Sequence, residues 1–219
     1  MPIGKEKSNS IRMGSTAGGT PAARRFKPST VGKTAAASPI RGYIKLSDAV
    51  RFFNYDFRGK VVLDIGSSTG GFTELALNLG ATKVIAVEKG THQMKAPLRY
   101  DPRIELHEKT DIFDFKTKVP DVIVADVSFL SLTKILKYAK IHLSRSDTDY
   151  LVMLKPQFEA RPYQLNKGVV KNEKIRREII KNFEQWLGQN NFIIINKRDN
   201  RLAGKNGNLE RFYYLKLAK

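Results

Sequence analysis

The chain has 219 residues, enough for one domain with a well-buried core. Its 39 Lys and Arg outnumber 21 Asp and Glu, for a formal net charge of +18, and such a surplus favours polyanionic partners because neutralising phosphates releases counterions. The absence of cysteine excludes disulfide scaffolds, thiolate zinc sites and cysteine-nucleophile chemistry, including methylation at cytosine C5.

Residues 1–40 are rich in Ser, Thr, Gly, Ala and Pro, and their charge is almost all basic, with Glu6 against Lys5, Arg12, Arg24, Arg25 and Lys27 among others. This composition predicts a disordered basic arm, with Arg24, Arg25 and Lys27 as candidate RNA contacts. No apolar signal core opens the chain and no run is long enough to span a bilayer, so a cytoplasmic location and no membrane partner are expected.

Residues 41–219 read as a second, catalytic domain. A short helix over 46–53 precedes the apolar run Val61-Val62-Leu63-Asp64-Ile65, a buried parallel strand. A Gly-rich turn and a helix to Leu79 follow, then a strand over 84–87, a helical stretch over 91–100 and a short strand over 104–107. The pattern continues with a strand over 122–127, a helix over 131–143, a strand over 150–154 and an amphipathic helix over 173–190. Strands over 192–196 and 212–217 complete seven. Alternation of this kind predicts an α/β, Rossmann-like, doubly wound and mostly parallel sheet, with ligands at the carboxyl ends of its strands.

The turn Asp64-Ile65-Gly66-Ser67-Ser68-Thr69-Gly70-Gly71-Phe72 follows the first strand. It matches neither the dinucleotide fingerprint nor the P-loop. An acidic residue two positions before the first Gly suits a cofactor with a cationic amino-acid head, and S-adenosylmethionine is such a cofactor. Glu88, ending the second strand, is placed to accept hydrogen bonds from ribose hydroxyls, and Asp111, after the third, from an adenine amino group. The fourth strand ends in Asp126-Val127-Ser128-Phe129 and lacks the [DN]-P-P-[YF] expected of an adenine amino methyltransferase. The fifth ends in Lys155-Pro156-Gln157-Phe158-Glu159. A lysine closing an apolar strand beside Asp126 reads as half of a catalytic pair. His92, His107 and His142 lie far apart in no ligand-like spacing, so no metal is expected.

These motifs, with Lys167-Gly168-Val169-Val170, resemble the TlyA (hemolysin A) family of FtsJ-like ribose 2′-O-methyltransferases over about residues 40–219. The resemblance implies the class I S-adenosylmethionine-dependent methyltransferase fold, a ribosomal RNA or ribosomal-subunit substrate with cytidine as the target, and a Lys-Asp-Lys-Glu tetrad. By motif the tetrad is Lys45 in Arg41-Gly42-Tyr43-Ile44-Lys45-Leu46, then Asp126, Lys155, and Glu210 in Gly207-Asn208-Leu209-Glu210. Cofactor contacts are expected from Asp64, Gly66, Ser67, Ser68, Gly70, Gly71, Phe72, Glu88, Asp111 and Asp126, and further RNA contacts from Arg41, Arg161 and Lys167. Three departures stand out: a basic arm where the family carries an S4-type RNA-binding domain, Tyr43 where a second Gly is common, and Glu88 where Asp is more frequent.

A ribose hydroxyl is barely ionised at neutral pH, so the chemistry lacks a nucleophile rather than a leaving group. Lys155 would act as base or stabilise the alkoxide, with Asp126 orienting it and Glu210 tethering Lys45. The rivals are a non-catalytic RNA-binding or ribosome-assembly factor on the same fold, a membrane-active hemolysin, and a methyltransferase acting on protein or small molecules.

Overall fold

The computed structural model describes Met1, residues 41–204 and residues 206–218. The expected arm, with Arg24, Arg25 and Lys27, lies outside the described residues. In chain order the elements are α1 (Arg41–Phe53), β1 (Val61–Ile65), α2 (Gly71–Asn78), β2 (Lys83–Val87), β3 (Ile104–His107), β4 (Val122–Ala125) and α3 (Leu132–His142). They continue with β5 (Asp149–Leu154), α4 (Pro156–Glu159), α5 (Glu173–Gln189), β6 (Phe192–Asp199) and β7 (Arg211–Leu217).

The strands form one sheet in the order β3-β2-β1-β4-β5-β7-β6. β1 to β5 run parallel, and β7 is antiparallel to both β5 and β6. Strand order reverses at β1, with β2 on one side of it and β4 on the other, so a crevice opens at their carboxyl ends. Period-two alternation sorts the strand residues into two layers. Val62, Val124 and Leu151 pack with Leu46 and Val50 of α1 and Phe72 and Leu75 of α2, whereas Leu63, Ile123 and Val152 pack with Ile135 of α3 and Phe183 and Leu187 of α5. The central strands are buried on both faces, which is why they read as continuous apolar runs.

Several boundaries differ from the sequence expectation. Residues 91–100 do not form a helix; only Leu98–Tyr100 makes a 3-10 turn, because Pro97 has no N–H to donate and crowds the residue before it. β4 stops at Ala125 rather than 127, since its neighbour β1 ends at Ile65, the partner of Ala125. α1 begins at Arg41 rather than 46, its first turn lying on α2, where a Cβ on Gly42 would sit 3.5 Å from the Phe72 ring. β6 runs to Asp199 rather than 196, paired to β7 as far as Asp199 and Arg211, whose side chains meet at 2.6 Å.

Gly70 caps α2 in the left-handed region at φ +91°, and a Cβ there would fall 2.4 Å from Leu98 Cδ2. Backbone strain and a steric clash therefore act together. Gly70→Ala should lower the unfolding free energy by roughly 2 kcal/mol or more, measured by urea denaturation; a change under about 0.5 kcal/mol would show that the turn relaxes freely.

Candidate active site

A cleft of about 880 Å³ opens at the carboxyl ends of β1, β2 and β4. Its floor is the turn after β1, where Gly66 takes φ +79° and the Gly66 and Ser67 N–H groups both donate to Val87 O. A side chain at Gly66 would lie 3.3 Å from Asp126 O, so glycine lets the ends of β1 and β4 approach. Ser67, Ser68 and Gly71 line the cleft from this turn. Phe72 lines it with one edge while its ring packs inward near Phe212, at 6.0 Å between centroids.

The cleft wall carries both signs of charge, with Glu88, Asp111 and Asp126 against Arg41, Lys89 and Lys155. Glu88 enters the cleft with its carboxylate held by the N–H groups of Ser68 (2.9 Å) and Gly90 (2.7 Å). Asp111 accepts from Phe113 N–H (3.1 Å) and pairs with Lys89 (2.9 Å), and the Lys89 ammonium holds its carboxyl below the usual carboxylate range. Asp64 stands behind the wall, fully buried, accepting from the Thr73 hydroxyl at 2.6 Å. Burial pushes its carboxyl up to about 7, and the nearby charges of Asp126 and Glu88 add to the rise. Among the described residues four buried side-chain atoms have no hydrogen-bond partner: Asp64 Oδ1, Ser67 Oγ, Asp126 Oδ1 and Gln157 Oε1. Two of them belong to residues on the cleft wall, so the cleft has polar groups to offer a ligand.

The tetrad candidates follow from strand register. Asp126 comes directly after β4 and Lys155 directly after its parallel neighbour β5. Glu210 comes directly before β7, whose Arg211 opposes Leu154, so the antiparallel register sets Glu210 beside Lys155. Lys155 Nζ lies 2.6 Å from Asp126 Oδ1, a close ion pair without hydrogen-bond alignment, and donates to Ser128 Oγ at 2.9 Å. Both residues line the cleft. Lys45 and Glu210 form a second pair at 2.5 Å, with side chains only 8% and 3% exposed, behind the cleft surface. Gly204 leaves room for it, since a Cβ there would sit 2.8 Å from Glu210 Oε1.

The structure does not treat the three described RNA-contact candidates alike. Arg161 is exposed, and so is Lys167, at φ +50° in a tight turn closed by the Asn166–Val169 bridge. Arg41 instead lines the cleft and donates to Ala203 O at 2.6 Å.

Ser128 and Phe129 belong to the motif that ends the fourth strand, yet sequence reasoning gives them no role. Phe129, 88% exposed at φ +64°, lines the cleft with its ring 5.3 Å from that of Phe158. Its signal is an aromatic in the motif that follows the fourth strand. Gln93, which accepts from the Ser68 hydroxyl at 2.8 Å and also lines the cleft, has no sequence signal at all.

Residues 39–217 match the FtsJ-like methyltransferase family. The 23S rRNA (cytidine-2′-O)-methyltransferase TlyA of Campylobacter jejuni is 34% identical over 177 residues, which are 80% of this chain and 69% of that one. The 16S/23S rRNA (cytidine-2′-O)-methyltransferase TlyA of Mycobacterium tuberculosis is 33% identical over 181 residues, 80% of this chain and 67% of that one. A solved structure of a candidate hemolysin from Streptococcus thermophilus superposes with a TM-score of 0.78 at 30% identity, covering 85% of this chain and 70% of that one. The chain spans 64–71% of the length of the curated relatives it matches.

The raised Asp64 carboxyl has a definite sign in stability. The folded state holds the proton more tightly than the unfolded chain, so the Asp64 contribution is most favourable below about pH 4 and is lost as pH rises to about 7. Asp64→Asn keeps an acceptor for Thr73 and removes the charge. Its stability relative to the parent should therefore rise steadily between pH 4 and pH 7 in denaturation experiments, whereas parallel profiles would place the Asp64 carboxyl in the ordinary range.

Proposed function

The chain belongs to the FtsJ-like methyltransferase family, and on that premise we propose that it transfers a methyl group from S-adenosylmethionine to a ribose 2′-hydroxyl of ribosomal RNA, with cytidine as the target. The observation that carries this reading is the Lys155–Asp126 pair, 2.6 Å apart on the wall of a cleft that Glu88 and Asp111 also line. The carboxylates of Glu88 and Asp111 suit a ligand with a cationic head, and the unpartnered Ser67 Oγ offers it a hydrogen bond. Glu88 would hold the ribose hydroxyls, Asp111 the adenine amino group, and the turn from Gly66 to Gly71 the amino-acid end. Bound S-adenosylmethionine supplies a methyl group activated by its sulfonium.

The protein's part is to handle the hydroxyl. Lys155 Nζ either holds the developing alkoxide as an ammonium while the hydroxyl proton passes to solvent, or first releases its own proton to solvent and then accepts that of the hydroxyl; in both cases Asp126 and Ser128 fix where Nζ points. Lys45 is tethered by Glu210, which the β5–β7 register sets beside Lys155. Phe129 offers an exposed ring at the cleft mouth, and base–aromatic stacking is worth about 1–3 kcal/mol per base. The surplus of basic residues supplies affinity for RNA phosphates, with Arg161, Lys167 and the arm residues Arg24, Arg25 and Lys27 as contributors. A cytoplasmic location goes with this reading. The hemolysin alternative has less support: among the described residues no helix is long and apolar enough to cross a membrane.

Lys155→Ala should abolish RNA methylation and leave S-adenosylmethionine affinity within about threefold in titration calorimetry, whereas Glu88→Ala should weaken that affinity by tenfold or more, on the order of a charge-assisted hydrogen-bond contact. A large fall in cofactor affinity in Lys155→Ala would move Lys155 into the binding site, and unchanged affinity in Glu88→Ala would remove the cofactor from this cleft. Deleting residues 2–38 should flatten the dependence of RNA binding on salt by close to one log–log unit for each phosphate that the arm neutralises; an unchanged slope would leave docking to the catalytic domain.

A further inference from the structure

Glu159 has no part in the tetrad, yet it joins the two strand ends on which the reacting pair stands. It closes α4, the short helix that begins directly after Lys155. Its Oε1 accepts from the N–H of Leu132 at 2.6 Å and its Oε2 from the Ser131 hydroxyl at 2.7 Å. Ser131 is the N-cap of α3 but makes no capping bond with its own side chain; its hydroxyl turns to Glu159 and lies 2.6 Å from Thr133 Oγ1. The first free N–H of α3 is therefore satisfied by a carboxylate from another segment, which also sets a negative charge at the positive end of the helix. Burial holds the Glu159 carboxyl above its usual range, so the arrangement keeps a carboxylate where solvation is poor.

The segment from Asp126 to Ser131 and the segment from Lys155 to Glu159 thus make a closed ring. One junction is the Asp126–Lys155 contact, with Ser128 reaching the same Nζ. The other is Glu159 on Ser131 and Leu132. Between them Phe129, at φ +64°, leans on Phe158, and Lys155 Nζ sits 5.9 Å from the centre of the Phe158 ring. Opening the second junction frees both segments to shift, and the atoms that move are those that set the direction of Nζ. We propose that Glu159 is a positioning residue, which locks the loops after β4 and β5 together and thereby aims Lys155 at the reacting hydroxyl. The proposal rests on the methyltransferase reading for its kinetic consequence, though not for its structural one.

Two measurements on the full-length protein test it. The first is steady-state methylation of ribosomal RNA, with S-adenosylmethionine affinity measured in parallel. Glu159→Ala should lower kcat on the order of tenfold to a hundredfold, the scale of a misplacement of about 1 Å, while KM for RNA and cofactor affinity change less than about threefold. Glu159→Gln, which keeps an acceptor for Leu132, should restore most of kcat, and Ser131→Ala should fall between. The second readout needs no activity: the rate at which Lys155 is acetylated by acetic anhydride, read by mass spectrometry. Lys155 should be protected in the parent and in Glu159→Gln, and several times more reactive in Glu159→Ala and Ser131→Ala. A rise in reactivity in a protein whose parent does not methylate RNA would uphold the positioning role and reject the methyltransferase reading. Should Glu159→Ala fail to fold, Ser131→Ala carries the test by itself. A lower melting temperature with kcat and Lys155 reactivity both unchanged would make Glu159 a helix cap and nothing more, and would overturn the proposal.

Discussion

Asp126 and Lys155 touch because they directly follow two parallel neighbours, β4 and β5, whose ends lie only two residues apart in register, and nearly every feature of the site can be traced to keeping that contact in place. Two ionised groups drawn partly out of water cost more than their attraction returns unless geometry and hydrogen bonding are both favourable. Here the side chains of Lys155 and Asp126 are 11% and 23% exposed. The same constraint governs Lys45 and Glu210, which are more deeply buried. Much of the surrounding chain serves to satisfy these groups. Arg176, itself buried, donates to Leu209 O just before Glu210, and Asn208 bonds both Gly168 O and Val170 N–H. The Lys167-Gly168-Val169-Val170 motif is thereby fastened to the segment that delivers Glu210.

Charge is distributed in two opposing senses. The whole chain carries +18, but the cleft wall is balanced, with Glu88, Asp111 and Asp126 against Arg41, Lys89 and Lys155, and Asp64 lies buried behind it. A uniformly basic protein would repel a cationic cofactor, and a uniformly acidic one would repel RNA. A wall of balanced charge on a basic protein accommodates both. The neutral tendency of the Asp64 carboxyl comes chiefly from its burial, to which the nearby charges of Asp126 and Glu88 add.

Much of the fold was legible in the sequence because it depends on local pattern. The apolar runs of β1, β4 and β5 announced strands buried on both faces, and Gly66 and Gly70 announced a turn that both occupy at positive φ. The helix expected over 91–100 is reduced to a 3-10 turn at Leu98–Tyr100, because Pro97 stands in the middle of the stretch. The start of α1 was hidden because its first turn, carrying Gly42 and Tyr43, is held by tertiary packing rather than propensity. For the site, legibility fell with sequence separation. Asp64, Glu88 and Asp111 could be placed at strand ends by counting elements, whereas the pairing of Lys45 with Glu210 spans 165 residues and came only through family resemblance. Glu159 stands in a strand-end motif without a role, since its partners Ser131 and Leu132 lie at the start of α3, more than twenty-five residues away in sequence.

In the proposed reaction the methyl group goes to a ribose oxygen of ribosomal RNA. The test is to incubate the protein with S-adenosylmethionine bearing a labelled methyl group and unmodified ribosomal subunits, then digest the RNA to nucleosides for chromatography and mass spectrometry. Label should appear in a 2′-O-methylated nucleoside, 2′-O-methylcytidine, carried on the sugar fragment after glycosidic cleavage. Label on a base, on ribosomal protein, or nowhere in a preparation that binds S-adenosylmethionine would contradict that reaction.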